Sequence, residues 1–299
     1  MEEIKKFYEK YPFPVIRPPE KDGLILMRHI DRYLRLYGDS AERDPVRILD
    51  AGCGTGNTAI SLAKKFRDVS FTCIDMSGAS LNKATESAKN ENLTNIRFYQ
   101  WDLMDPLIED KPFDLILCLG VLHHTANMQR VMANLRQALK GNGEMYLWIY
   151  GRHGRYRHTL NLSLLNLLLN VDPTPQDKVR FAKEFIESET ENSILKDLMP
   201  GKSVDFSTQN VFESSSWIAD QFLNPHEITL DMEETLQLLN DSRFRITKWL
   251  GVNIDFSSYF SSAVLNSRFS RLSENQQYIA LDLLLKPDRY FFLLNPEPE

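Results

Sequence analysis

The chain has 299 residues, 42% of them hydrophobic and 25% charged, with a formal net charge of −6. That length supports one large core or a domain with a substantial insertion, and the acidic balance argues against a dominant electrostatic grip on nucleic acid, which wants a basic face. The three cysteines, Cys53, Cys73 and Cys118, form no CxxC pair, so neither a structural zinc site nor a disulfide scaffold is expected, and a reducing compartment is.

The N-terminal MEEIKK is acidic and has no apolar run, so it does not read as a secretory signal. Residues 7–14, FYEKYPFP, place Phe7, Tyr8, Tyr11 and Phe13 around two prolines. The stretch is too apolar for an idle tail and too proline-broken for a helix or a central strand, so it reads as an arm that covers something. The proline-rich IRPPE at 16–20 separates it from 24–37, where Leu24, Met27, Ile30, Leu34 and Leu36 give helical periodicity.

From Val46 to Tyr150 short β-branched runs alternate with helical segments. Strands are expected at 46–51, 69–75, 96–100, 113–120 and 144–150, most of them apolar throughout, as parallel strands covered on both faces are. Helices are expected at 57–66, 77–90 and 127–140, the last ended by a left-handed glycine cap in the GNG at 141–143. This alternation predicts a doubly wound α/β sheet.

After Tyr150 the rhythm changes to helices at 158–170, 177–190, 193–199 and 211–223, read as an insertion. Seven leucines between 160 and 169 make the first of these apolar on nearly every face, which predicts burial all round. The stretch is too short and too interrupted by Asn and Ser to span a bilayer, so no membrane span and a cytoplasmic location are expected. Helical periodicity returns at 230–240, followed by a strand near 245–252, a helix near 272–286 and a closing strand at 289–295. The expected units are 1–40 (arm and helix, a lid), 41–154 (core), 155–225 (helical cap) and 226–299 (the rest of the sheet).

The most informative stretch is ILDAGCGTGN at 48–57, because it follows a strand and opens a helix. Gly52, Gly54 and Gly56 let the backbone turn tightly and approach a ligand, and the following helix offers unpaired N–H groups. The G-x-G-x-G spacing departs from the G-x-G-x-x-G of a pyrophosphate site. Asp75 lies 19 residues beyond Gly56 at the tip of the second strand, where a carboxylate accepts ribose hydroxyls. With Asp50 opening the motif, the run resembles motif I of the class I S-adenosylmethionine-dependent methyltransferases, over about residues 46–150.

That resemblance implies a Rossmann-like seven-stranded methyltransferase sheet with an N-terminal arm and a helical insertion after the fifth strand. It implies S-adenosyl-L-methionine as cofactor, held by Asp50, Gly52, Cys53, Gly54, Gly56 and Asn57 of the loop, Asp75 and Met76, Trp101, Asp102 and Leu103, and Leu119 and Gly120. Within that set Asp102 receives the adenine amino group, Met76 lies against the adenine face and Leu119 and Gly120 contribute backbone groups. No metal is implied. YPFP near the start, GVLHHT at 120–125, GRHGR after Tyr150 and FLNPHEIT at 222–229 are similar to a looser bacterial group. It includes small-molecule enzymes and, more distantly, protein-lysine methyltransferases with an aromatic-proline motif.

Methyl transfer is an in-line displacement, so the protein supplies alignment, exclusion of water and, for a protonated nucleophile, a base. His123 and His124 lie where the acceptor is expected, with His124 preferred as base. Tyr8 and Tyr11 of the arm offer hydroxyls and ring faces, Tyr11 also standing as a catalytic candidate, and the arm either roofs cofactor and acceptor or packs on the insertion. Arg152, Arg155 and Arg157 of GRHGRYRH would clamp an anionic group of the acceptor, the alternative being a solvated loop. LGVL replaces the (N/D)PPY of base and amide N-methyltransferases, which disfavours DNA bases. A small-molecule acceptor is favoured; a protein methyltransferase and a non-catalytic cofactor-binding scaffold are the alternatives, and a homodimer is left open.

Overall fold

The computed structural model describes residues 2–14, 21–37, 45–107, 111–171, 177–188, 190 and 214–297. The helix expected at 193–199, residues 211–213 of its successor and the IRPPE segment lie outside the described residues.

Two helices, α1 (Glu2–Lys10) and α2 (Lys21–Tyr37), precede a sheet of seven strands: β1 (Arg47–Ala51), β2 (Ser70–Asp75), β3 (Ile96–Gln100), β4 (Phe113–Leu119), β5 (Leu139–Tyr150), β6 (Phe244–Trp249) and β7 (Arg289–Pro296). Their order is β3-β2-β1-β4-β5-β7-β6. The first five pair in parallel, and β7 runs antiparallel to both β5 and β6. The order reverses beside β1, between β1 and β4, and open α/β sheets bind ligands outside the carboxyl ends of strands at such a point.

Helices α3 (Asn57–Lys65), α4 (Gly78–Asn90) and α5 (Met128–Ala138) connect the parallel strands. The starts of α4 and α5 are written locally: Ser77 Oγ accepts the Ser80 amide at 3.1 Å, and Asn127 Oδ1 accepts that of Arg130 at 2.9 Å. Later come α9 (Met232–Asp241) and α11 (Glu274–Leu285), both opened by capping boxes, with α10 (Ala263–Phe269) between them as a helix the periodicity does not predict.

Alternate residues of each strand feed opposite faces of the sheet. Leu49, Ile116, Cys118, Met145 and Leu147 join one core with α5, α9 and α11; Ile48, Leu115, Leu117, Phe71 and Tyr146 join the other with α2, α3 and α4. All three cysteines are free and buried.

The insertion comprises α6 (Arg152–Leu169), α7 (Lys178–Glu187) and α8 (Ser215–Phe222). It has its own apolar cluster, Leu165, Val179, Ala182, Ile186, Trp217, Ile218 and Phe222, against which Phe7, Tyr11 and Phe13 of the arm pack. Among the described residues no helix is long and apolar enough to cross a membrane.

Three expectations need correction. The aromatic stretch is half helical, because the helix-forming EEIKKFYEK precedes both prolines and the steering out of the α conformation begins only at Tyr11, next to Pro12. The GNG segment carries no left-handed cap: α5 ends at Ala138, Leu139 is already extended and pairs with Phe113, and Gly143 is small because a Cβ there would come within 2.9 Å of the Asp114 carbonyl. Helix α6 is not buried all round. Its inward stripe is Arg155, His158, Asn161 and Leu165, while Leu160, Leu164, Leu167 and Leu168 point outward, Leu167 with 69% of its surface exposed.

Candidate functional site

The glycine loop joins β1 to α3 with Gly52, Gly54 and Gly56 all in left-handed conformations, φ +81°, +53° and +80°. A side chain at any of them would be strained. What a Cβ would meet is protein: Val121 at 2.5 Å from Gly52, Ala84 at 2.9 Å from Gly56, and the Phe13 carbonyl at Gly54. The glycines therefore serve close packing of the loop on the segment after β4, on α4 and beneath the arm.

Asp75 ends β2 and braces this loop. Its Oδ2 accepts the Gly54 amide and its Oδ1 the Ser77 amide, both at 2.8 Å. Burial raises its pKa, and each oxygen keeps a second lone pair for a ligand hydroxyl. Asp50, 4% exposed on β1, is pushed up to about 7 by burial and then by the Asp75 charge.

The arm closes over these groups. Thr55 N–H donates to the Phe13 carbonyl at 3.2 Å and Ser77 Oγ to the Tyr8 carbonyl at 3.1 Å. The Glu9 carboxylate accepts the Gly78 and Ala79 amides at 2.6 and 3.0 Å, placing a negative charge at the N-terminus of α4, where the helix dipole favours it.

The segment after β4 turns at Gly120, φ +74°, and enters a 3₁₀ turn at Leu122–His124. His123 is fully buried, its ring 3.9 Å from that of Tyr150 and 4.2 Å from that of His124, and neither ring nitrogen has a hydrogen-bond partner among the described residues. Burial holds its pKa well below the usual imidazole value. His124 pairs through Nδ1 with the His226 carbonyl at 2.9 Å. A carbonyl only accepts, so Nδ1 carries the proton and Nε2 is left with its lone pair. Burial lowers the His124 pKa to about 4, so the ring is neutral at pH 7.

Across from these rings the insertion contributes α8. Tyr8 Oη donates to Asp220 Oδ1 at 2.9 Å and accepts from Asn224 Nδ2 at 2.9 Å. Gln221 Nε2 donates to Asp220 Oδ2 at 2.8 Å and to Tyr150 Oη at 3.1 Å. The Tyr8 ring lies 6.3 Å from that of His124, nearly edge-on.

From α6, the Arg155 guanidinium sits 3.5 Å over the Tyr150 ring and pairs with Glu227 at 3.0 and 3.1 Å. His158 Nδ1 and Asn161 Nδ2, on the same inward stripe, are buried with no hydrogen-bond partner among the described residues. Buried polar atoms of this kind cost about 1–3 kcal/mol each unless something satisfies them. Together with Arg155 they make the inward stripe of α6 a buried polar face beneath the insertion.

Several sequence-predicted residues have other duties. Arg152 is bound to Asp231, Glu234 and the Thr229 carbonyl, Arg155 is committed to Glu227 and Tyr150, and Arg157 is exposed. GRHGRYRH is thus the first two turns of α6 and no anion clamp, since its first two arginines are neutralised by acidic residues from the segment after α8 and from α9. Tyr11 turns its ring to Phe7 and the insertion cluster, leaving Tyr8 as the tyrosine beside His124. Leu103 and Cys53 point into the two cores, and Leu119 is packed against the second. Asn57 opens α3. Asp102 caps its own turn through the Met104 amide at 2.9 Å, with Trp101 donating to the Asp105 carbonyl and Met76 receiving the Gln100 side chain. Asp220, Gln221, Asn224 and Glu227 were missed: FLNPHEIT flagged the neighbourhood, but a buried Asp on an apolar helix gives no pattern that shows it faces residue 8.

Residues 49–145 match a family model described as a methyltransferase domain. A ubiquinone biosynthesis O-methyltransferase of Rickettsia typhi is 37% identical over 41% of this chain and 51% of its own length. A tRNA 5-carboxymethoxyuridine methyltransferase of Escherichia coli is 31% identical over 46% and 51%. The uncharacterized protein syc1184_c of Synechococcus sp. is 26% identical over 99% of this chain and 72% of its own length. The chain thus spans about half the length of the two named methyltransferases it matches. Among solved structures, PKMT2 from Rickettsia typhi in complex with AdoHcy shares the fold, with a TM-score of 0.68 at 14% identity over 95% of this chain and 55% of that one. The glycine loop, the strand order β3-β2-β1-β4-β5-β7-β6 and the matching family model thus agree on a methyltransferase domain within residues 49–145 of this chain.

Proposed function

We propose that the chain transfers a methyl group from S-adenosylmethionine to a small-molecule acceptor held in the chamber between the 3₁₀ turn, α1 and the insertion. The observation that carries this reading is enclosure: His123, His124, Arg155 and Asp220 are each less than a tenth exposed, and the arm packs against the cluster formed by α6 to α8. A polymer side chain entering such a site would need a channel, whereas a metabolite can be enclosed whole.

The residues at the strand tips fit the cofactor. Asp75 has lone pairs for the ribose hydroxyls, Asp102 keeps an oxygen for the adenine amino group, and Gly120 presents backbone where a Cβ would strike Trp148. When bound, S-adenosylmethionine supplies an electrophilic methyl on a sulfonium. The chain's part is to align the acceptor, to keep water out with aromatic walls and to manage a proton. Loss of charge in the transition state is favoured in such a dry setting. His124 Nε2 offers a neutral hydrogen-bond acceptor there.

Calorimetry with S-adenosylhomocysteine tests the cofactor site: Gly54→Val and Asp75→Ala are each expected to weaken binding at least tenfold. Methyl-labelled S-adenosylmethionine incubated with a bacterial extract, then separated by size, tests the acceptor. Label below 3 kDa is expected; label confined to macromolecules would overturn the small-molecule reading, and none anywhere would favour a non-catalytic role.

A further inference from the structure

The geometry points to a proton relay for the acceptor, in which the Tyr8 hydroxyl touches the acceptor and the Asp220 carboxylate, acting through Tyr8, receives the proton. It rests on the methyltransferase reading above and assigns two residues that come from opposite ends of the fold, 212 positions apart.

The direction of the hydrogen bonds is fixed by a third residue. Asn224 Oδ1 accepts the His226 amide at 3.1 Å, so the group that Asn224 turns to Tyr8 is its NH₂. An NH₂ only donates, so the phenol oxygen accepts there and must send its own proton to Asp220 Oδ1. A phenol oxygen has two lone pairs, and one remains for an incoming O–H or N–H. Asp220 is itself held through Oδ2 by Gln221, so the carboxylate cannot swing away from the tyrosine.

The pair also stands in the right place. The Tyr8 carbonyl is tied to Ser77, next to the ribose carboxylate Asp75, and the Tyr8 ring abuts His124 of the acceptor turn. Burial, then the Asp220 charge, raises the Tyr8 pKa well above 10, so a standing tyrosinate is disfavoured. A relay avoids one, because Tyr8 gains a proton as it gives one up. The acceptor X–H proton passes to Tyr8 Oη while the Tyr8 proton passes to Asp220 Oδ1. The electron pair left on X forms the X–CH₃ bond, and the sulfur–methyl bonding pair stays on sulfur, giving a neutral thioether. Among the described residues, the charged and titratable groups around the pair include Tyr150 from β5, His124 and His226 from the loops, His158 from α6, and the Arg155–Glu227 ion pair.

The test compares wild type with Tyr8→Phe, Asp220→Asn and Asp220→Glu, using methyl-labelled S-adenosylmethionine with the sub-3-kDa fraction of a bacterial extract as probe. Tyr8→Phe and Asp220→Asn are expected to slow transfer by about 10²–10⁴-fold, the range of a lost proton-transfer group, with S-adenosylhomocysteine affinity within about twofold of wild type. The wild-type rate should fall in acid as Asp220 protonates, Asp220→Asn should lose that acid limb, and Asp220→Glu should restore it. A second measurement needs no acceptor: with ¹³Cζ-tyrosine labelling, the Tyr8 resonance, identified by its absence in Tyr8→Phe, should shift as Asp220 protonates and stay still in Asp220→Asn. An Asp220→Asn protein that keeps the wild-type rate or its acid limb, or a Tyr8 resonance that does not respond to acid, overturns the relay. Failure of wild type to bind S-adenosylhomocysteine would instead overturn the cofactor reading.

Discussion

The Phe13 carbonyl rests on Gly54: the neighbouring Thr55 amide donates to it at 3.2 Å, and a Cβ on Gly54 would overlap it. Thr55 Oγ1 makes a further bond to the Pro14 carbonyl. The arm is therefore fastened to the glycine loop, while its rings Phe7, Tyr11 and Phe13 are fastened to the insertion.

Gly54→Ala should break that first fastening. At φ +53° alanine costs about 1–2 kcal/mol in backbone strain before the overlap is counted, so affinity for S-adenosylhomocysteine should fall by roughly 5–30-fold or more. Trypsin should also cut faster at Lys10, which digestion followed by mass spectrometry would show; unchanged cleavage would mean that the arm stays seated without this contact.

Glu9→Gln keeps an oxygen near α4 but removes its charge. The expected loss is about 0.3–1 kcal/mol, seen as a lower thermal midpoint that converges with wild type in 1 M salt. A midpoint difference independent of salt would show that the carboxylate acts through geometry alone.

Acid should weaken the fold through its buried imidazoles. His124 and His158 are lowered to about 4 and about 3, chiefly by burial, against about 6.5 for an unfolded histidine. Between those values the unfolded chain binds more protons, so this contribution is fully present above pH 6.5 and is lost as pH falls towards 4 and 3. At about 1.36 kcal/mol per pH unit each residue contributes on the order of 3–5 kcal/mol at most. Urea midpoints measured at pH 7.5 and 5.0 should converge in His158→Gln; an unaltered difference would remove His158 from the account.

Asp50 acts in the opposite sense. Its folded pKa of about 7 exceeds the ordinary carboxylate value of 3.8, so the folded chain holds the extra proton and stability declines as pH rises from about 4 to about 7. Asp50→Asn should be more stable than wild type at pH 8, by at most about 4 kcal/mol, and lose that advantage near pH 4. Equal urea midpoints for the two proteins at pH 8 would refute the shift.

The parallel core could be read from sequence because each of its signals is local. An apolar strand such as FDLILCL is buried on both faces, and Ser77 and Asn127 cap the helices that begin at the next residue by accepting the amide three positions on. The glycine loop was legible for the same reason, although the Cβ positions it leaves vacant serve Val121, Ala84 and Phe13. Helix α6 was misread because leucine content says how much apolar surface exists and nothing of which way it turns. Its inward positions went to Arg155, His158 and Asn161, whose partners Glu227 and Gln221 lie more than 60 residues away. The tie between Tyr8 and Asp220 spans the chain and leaves no periodic trace.

That tie has a consequence for synthesis. A ribosome releases α1 long before α8, and all five parallel strands lie between Tyr8 and Asp220, which stand 212 positions apart. The nascent chain can therefore assemble the parallel strands and the glycine loop while the insertion that packs on the arm is still unmade, and the burial of Tyr8 against Asp220 comes late in folding.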